Sequence, residues 1–521
     1  MKPIFPVILT FLTTSVLPVQ AQEAVPRLVV GITVDQLRSD YLNAFAPLYG
    51  EGGLKRLMAQ GTCYTNVQYK STNVDRASAI ASVYTGTVPY DHGIVSTMWL
   101  DRKTLRPVFC VSDNKTNANS LIQSLTPSNL VTSTIGDELK VATKGKAKVY
   151  AIAPYSDAAI LSAGHSGDCA IWIDDTSGQW VTSSYYGSSP ACLRYINTSM
   201  LSNNINNIKW TPSDYIVGRV NYYIYGDELN SFSHRFTGID KYRDYKQCGL
   251  VNETVSTAAA SLLRAGEMGT DGIPDLLSLT YYAGHYNKAT EGSTELQDTY
   301  VRLDRQIEEL LTVIDKHVGL QHTLIFLTST GYDDTPEDNL SQYGIPSSEF
   351  RLERCTALLN MYLTAIYGDG QYVDAHYGQY IYLNHKLIED KQIALHEILN
   401  RCEDFLFQFH GVRDVYTSQR LTQGAWTPGI SRIRNSYNPH CSGDIFVEIT
   451  PGMTLVKDNG AKKVVRDSYL EIPLIFFGKG VKSQKIHTPV TIDYIAPTIS
   501  HSIRIRAPNS CAMAPLTELS E

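Results

Sequence analysis

The stretch that most limits what this chain can fold into is Leu28 to Asp35, LVVGITVD. Apolar and β-branched residues run without alternation into an acid. Such a run marks a strand buried on both faces, as in a parallel sheet covered by helices. Open α/β sheets take their ligands beyond the carboxyl ends of their strands. Asp35 is therefore the first candidate functional residue. Its other reading is a cap for the helix that begins around Arg38, Asp40 and Tyr41.

Similar runs recur at Val149–Ala153, Asp275–Tyr282, Thr323–Leu327, Asp444–Ile449 and Ile472–Phe477. Helical patterns lie between them, at Gly52–Gln60, Ala77–Ser82, Val255–Ala265, Glu295–Val313 and Ile492–Ile503. The fourth places Leu303, Ile307, Leu310 and Leu311 on one face. Strands alternating with helices predict an α/β fold, doubly wound, with a mostly parallel sheet covered on both sides. Two stretches break the rhythm, one near 168–245, rich in Ser, Tyr and Asn, and one near 335–440, with an αβ pattern of its own. Both read as cap insertions in a single domain spanning 22–521.

Residues 1–21 read as a signal peptide. Lys2 carries the charge, Ile4 to Leu17 the short apolar stretch, and Val19-Gln20-Ala21 the small-residue cleavage pattern. No other segment is long and apolar enough to anchor the chain in a membrane. The expectation is export, to a bacterial periplasm or beyond. A net charge of −7 leaves no basic footprint for nucleic acid. Nine cysteines are scattered without a CxxC pair, so zinc-finger spacing is absent. Export permits disulfides, with Cys169 and Cys192 as candidates for one, and the odd count leaves a thiol over.

An ordered set of segments carries a resemblance. It comprises VDQLRSDY from Val34, GGLKRLMAQG from Gly52, ASVYTGTVPYDHGI from Ala81, AAILSAGH from Ala158, WIDDTSGQW from Trp172 and YYAGH from Tyr281. It continues through DTYVRLDRQI from Asp298, SGDI from Ser442, IPLIFFG from Ile472 and TIDYIAPTIS from Thr491. Together they resemble the alkaline phosphatase superfamily, in its phosphodiesterase/nucleotide pyrophosphatase branch and the exported bacterial monoesterases like it. The resemblance implies an alkaline-phosphatase-like α/β/α core and a site of two metals, usually zinc. Such a pair clamps the attacking and leaving oxygens at phosphorus and activates a Thr or Ser nucleophile.

Matched position by position, the implied site is largely dismantled. Asp35 and His285 keep two of six expected metal ligands. The nucleophile position falls on Arg76, with Ser78 and Thr72 as nearby hydroxyls. Other ligand positions hold Tyr281, Ser329, Thr330 and, before IPLIFFG, Lys462. Substrate-binding positions hold Thr97, Tyr155 and Asp157. Zinc needs three or four protein ligands per ion, more than one carboxylate and one imidazole supply. Two readings of the vacated pocket follow. In one, Arg76 pairs with Asp35 and offsets the cost of burying an unpaired acid. In the other, Arg76 and Lys462 form an anion site. His285 alone reads as a hydrogen-bonded core histidine.

The expectation is an exported pseudoenzyme of this fold without a cofactor, binding or scaffolding an envelope protein or an anionic ligand. The alternatives are a divergent hydrolase of phosphate or sulfate esters, and a glycan- or anion-binding module built on the Tyr-rich insertions. The acid pairs Asp174-Asp175 and Asp333-Asp334 read as solvated turns.

Overall fold

The computed structural model describes residues 25–113, 124–187, 193, 196, 201–214, 232–287, 294–333, 348–425, 427–456, 460, 462–465 and 470–519. Residues 1–21, which the sequence leads one to expect as a signal peptide, Cys192 and Asp334 lie outside the described residues.

Leu28–Asp35 forms strand β1 at the middle of a sheet of ten strands. The others used below are β2 (Thr62–Gln68), β3 (Val149–Ala153), β4 (Cys169–Ile173), β5 (Trp180–Val181), β6 (Asp275–Tyr282), β7 (Thr323–Ser329), β8 (Ile472–Gly478) and β9 (Gln484–Ile486). Their order is β9-β2-β8-β7-β1-β6-β3-β4-β5. The block β7-β1-β6-β3-β4 is parallel, whereas β8 runs antiparallel to both β7 and β2. This is the mixed, mostly parallel α/β architecture expected of the sequence.

Every residue of β1 is buried, because helices cover both faces. Leu28, Val30, Ile32 and Val34 pack into one hydrophobic cluster with helices α3 (Val251–Ala265) and α4 (Thr294–His317). Val29 faces a second cluster with helices α1 (Arg76–Thr85) and α2 (Ser156–Ala163). Each fully buried Val, Leu or Ile contributes about 1.5–3 kcal/mol relative to exposure, which fixes the register of β1. Gly31 is needed for close approach: a Cβ there would lie 2.5 Å from Phe326 Cζ and 2.7 Å from Tyr84 Oη.

A smaller antiparallel sheet stands apart from the central one. Its strands lie in the order Val373–Tyr377, Tyr380–Leu383, Ile445–Ile449 and Val412–Thr417. Helices Leu352–Tyr367 and Leu395–Leu406 cover it and share its separate hydrophobic cluster. Ile445–Ile449 thus belongs here, not with the buried strands of the core as its composition implied. A strand buried on both faces reads the same in either sheet. No described helix is long and apolar enough to cross a membrane.

Candidate functional site

Helix α1 aims its first turn at the carboxyl end of β1. Its start is defined by a capping box. The Asp75 carboxylate accepts from Ser78 N at 3.0 Å, and the Ser78 hydroxyl accepts from Asp75 N at 3.0 Å. Alanines at 77, 79 and 81 let the helix sit buried between sheet and neighbours, and Gly86, at φ 66°, closes it in the left-handed conformation. Ser78 is therefore committed to the cap, its hydroxyl donating to Asp75 Oδ1 at 2.9 Å.

The first residue of α1 is Arg76. A cation at a helix N-terminus opposes the helix dipole, so it needs acids close by. It has two. Arg76 Nη1 lies 3.4 Å from Asp35 Oδ2, and Nε donates to both oxygens of Asp157 at 3.2 and 3.0 Å. Asp157 stands in the first turn of α2, and both carboxylates are buried. The guanidinium also lies 3.7 Å from the centre of the Tyr155 ring, a cation–π contact. A second cation meets that ring: Lys246 Nζ is 4.4 Å from its centre and pairs with Asp175.

The electrostatics follow from burial. Burial pushes the Asp35 carboxyl above its usual range, while Arg76 and hydrogen bonds from Thr330 and Tyr332 pull it back. Burial works against the charge of Arg76, but Asp157, Tyr332, Asp35 and Tyr155 outweigh it and hold the guanidinium well above its ordinary value. Burial likewise lowers Lys246, against the pull of Asp175.

The remaining predicted residues divide. Thr330 donates to Asp35 Oδ1 at 2.9 Å and accepts from Gln36 N at 2.9 Å, so it belongs to the cluster. Ser329 turns to the Leu37 carbonyl at 2.6 Å. Tyr281 is buried in the helix layer, its hydroxyl 3.0 Å from Ser256 on α3. His285 is buried just beyond β6, and its carbonyl accepts from Tyr282 Oη at 2.8 Å. Thr97 donates its backbone N–H to Asp75, and both Thr97 and Thr72 line a cleft in front of Arg76. Lys462 is a correction. It is exposed on a short strand and pairs with Glu349 at 2.6 Å, so it does not join Arg76. Its neighbour Lys463 lines the cleft instead. Strand alternation turns the two lysines to opposite faces, and a one-residue slip of the match moves the charge.

The acid pairs also differ from solvated turns. Asp174 does organise a turn, accepting from Thr176 N and Ser177 N. Asp175 instead pairs with Lys246, and Asp333 with Arg38 at 2.7 Å. Sequence reasoning missed Lys246, since nothing in its surroundings, DKYRDYKQ, announces burial. It named Asp157 but not its pairing with Arg76.

The paired zinc site that the family resemblance implies can be tested against these contacts. One Asp35 oxygen is taken by Thr330 and the other faces a guanidinium. Tyr281 and Ser329 are turned to other partners. Among the described residues no group of three or more His, Cys, Asp or Glu side chains converges. Arg, Tyr, Ser and Thr are not the carboxylate and imidazole donors that zinc takes. The residues present do not fit a pair of zinc ions.

The central sheet, the acid ending β1 and the helix aimed at it define an alkaline-phosphatase-like α/β protein. The chain belongs to the type I phosphodiesterase / nucleotide pyrophosphatase family, whose model matches residues 29–470. It is similar to the alkaline phosphatase PafA of Elizabethkingia meningoseptica, with 30% identity over 537 residues covering 97% of each chain. It is 28% identical to the alkaline phosphatase PhoV of Synechococcus elongatus, covering 95% of this chain and 93% of that one. The crystal structure of wild-type PafA superimposes with a TM-score of 0.82 at 28% identity, over 95% of this chain and 99% of that one.

Proposed function

We propose that this chain is an exported binding protein of the phosphodiesterase fold that does not carry out two-metal phosphoryl transfer. The observation that carries the reading is Arg76, a guanidinium set between two buried carboxylates at the nucleophile position. A guanidinium cannot be deprotonated at physiological pH and cannot attack phosphorus. It also supplies the positive charge that would otherwise come from metal. The apolar amino-terminal stretch supports export, and the partner is then a molecule met in the cell envelope.

The second reading, a divergent hydrolase of phosphate or sulfate esters, is favoured by the end-to-end similarity to alkaline phosphatases and by the presence of Asp35 and His285. In it Thr72 is the available hydroxyl, since Ser78 is held by the cap.

The test is elemental mass spectrometry of the purified protein after zinc incubation, with phosphomonoester and phosphodiester assays on the same sample. The expected result is less than one tightly held zinc per chain and no turnover above the zinc-only control. About two zinc ions per chain together with enzyme-like turnover would replace the binding reading with the hydrolase.

A further inference from the structure

A cleft of about 830 Å3 separates the Arg76 end of the core from the four-stranded sheet. We infer that it receives an uncharged, polyhydroxylated ligand of the oligosaccharide class. The inference rests on the non-hydrolytic reading of the Arg76 centre and names what that centre's cleft would hold.

The size comes first. Small-molecule sites span roughly 300–1,000 Å3, so this cleft has room for an extended ligand rather than a single small anion. Its lining comes second. Tyr332, Tyr377 and Tyr380 are partly exposed along it, with the amides of Asn73 and Gln379 among them. A tyrosine offers a flat apolar face and a polar tip. An amide donates and accepts at once. Together they complement a molecule with C–H faces and hydroxyl edges.

Charge comes third: the cleft is lined by both signs, Arg76, Arg413, Arg432 and Lys463 against Asp75, Asp333 and Glu448, so it presents no face of one sign to an anion. The guanidinium of Arg76 is already shared by two carboxylates. Asp333 is held by Arg38 at 2.7 Å, and Arg413 stands 3.9 Å from Glu448. Lys462, the other half of the anion site expected from sequence, is outside on Glu349, and its neighbour Lys463 lines the cleft. A phosphate or sulfate entering at Arg76 would have to compete with buried internal partners, whereas a neutral ligand would leave them intact. Finally, the two walls are linked. Asn73 Nδ2 donates to Gln379 Oε1 at 3.0 Å, and Gln379 Nε2 donates to the Val447 carbonyl at 3.0 Å. This amide chain joins a core loop to the smaller sheet and presents its remaining capacity to the cleft.

Isothermal titration calorimetry of the full mature chain tests the assignment. The probes are malto-, cello- and xylohexaose, a sulfated hexasaccharide, and inorganic phosphate. The expected result is binding of at least one neutral hexasaccharide, changing less than about twofold between low and high salt because no charges are matched. Tyr377→Ala and Gln379→Ala weaken it by about tenfold or more. Tyr377→Phe, which keeps the ring, retains it, separating loss of stacking from loss of fold. No heat from any neutral hexasaccharide overturns the inference. So does preferential, salt-sensitive binding of the sulfated sugar or phosphate. The zinc and turnover measurements do not depend on sugar binding, so either reading can fail alone.

Discussion

Two buried aspartates, Asp35 and Asp444, stand beside strand ends and are handled in opposite ways. Asp444 accepts from Leu383 N at 2.8 Å, from Arg102 Nη1 at 2.9 Å and from His385 Nε2 at 2.9 Å. Burial raises its carboxyl, but His385 and Arg102 more than reverse that, and it ends below the usual carboxylate range. Asp35 has Thr330 at 2.9 Å and an arginine no nearer than 3.4 Å, and there burial prevails. Asp444 is surrounded by donors suited to a charged carboxylate. Asp35 ends β1 with a threonine and a more distant guanidinium, partners that compensate it less well. The difference teaches that a buried acid at the end of β1 needs a cation to compensate it. Arg76 meets that requirement, and Asp157 shares in it.

The comparison breaks most sharply at Arg76. Arg76→Ala leaves Asp35 and Asp157 buried without their common cation. Removing one partner of a buried pair costs about 3–5 kcal/mol, and the expected loss lies in that range, read as a drop in the urea unfolding midpoint at pH 7. Adding Asp35→Asn and Asp157→Asn to Arg76→Met removes the orphaned charges and should recover much of the loss. A single Arg76→Ala loss under about 1 kcal/mol would mean that the cluster behaves like a surface pair.

Asp444→Asn is the next largest. It keeps the shape but weakens charge-assisted bonds to Arg102 and His385, for an expected loss of about 2 kcal/mol. Its pH dependence follows from the two partners. Asp444 is held below its ordinary 3.8, so its contribution is present above that pH and fades as pH falls through the lowered value. His385 is raised above its ordinary 6.5, chiefly by the Asp444 hydrogen bond, so its contribution is full below 6.5 and is lost as pH rises through the raised value. The Asp444→Asn penalty should therefore be greatest between about pH 4 and 6.5 and smaller at pH 9. Thermal melts of both proteins across that range check it, and a penalty that grows toward pH 9 would remove His385 from the account.

Much of the core was legible because periodicity and burial go together. Leu28–Asp35, Val149–Ala153 and Asp275–Tyr282 are strands over the ranges their composition indicates. An apolar run cannot say which sheet it joins, and Ile445–Ile449 entered the smaller one. At the site, sequence matching could name Asp35, Arg76 and Asp157 as neighbours by family position. It could not show that Arg76 divides its hydrogen bonds between two acids, or that Tyr281 turns its hydroxyl to Ser256. Those outcomes depend on side-chain direction, which spacing does not encode. The cleft was equally hidden, because its walls come from segments some three hundred residues apart, as Asn73 and Gln379 are.

The smallest effect belongs to Lys462, and it sharpens the contrast with Arg76. Its ammonium lies closer to a carboxylate than the guanidinium does to Asp35, at 2.6 Å against 3.4 Å. Distance alone would rank it the stronger pair. Solvent reverses the ranking: the Lys462 and Glu349 side chains are 60% and 42% exposed, against 17% and 1% for Arg76 and Asp35. Water screens an exposed pair, and holding two long side chains together costs entropy that offsets the remaining attraction. Lys462→Ala should leave the unfolding midpoint within error of the unmodified chain at low and high salt alike. A drop approaching that of Arg76→Ala would show that charge on this outer strand carries structural weight, and would return Lys462 to the centre from which the structure separates it.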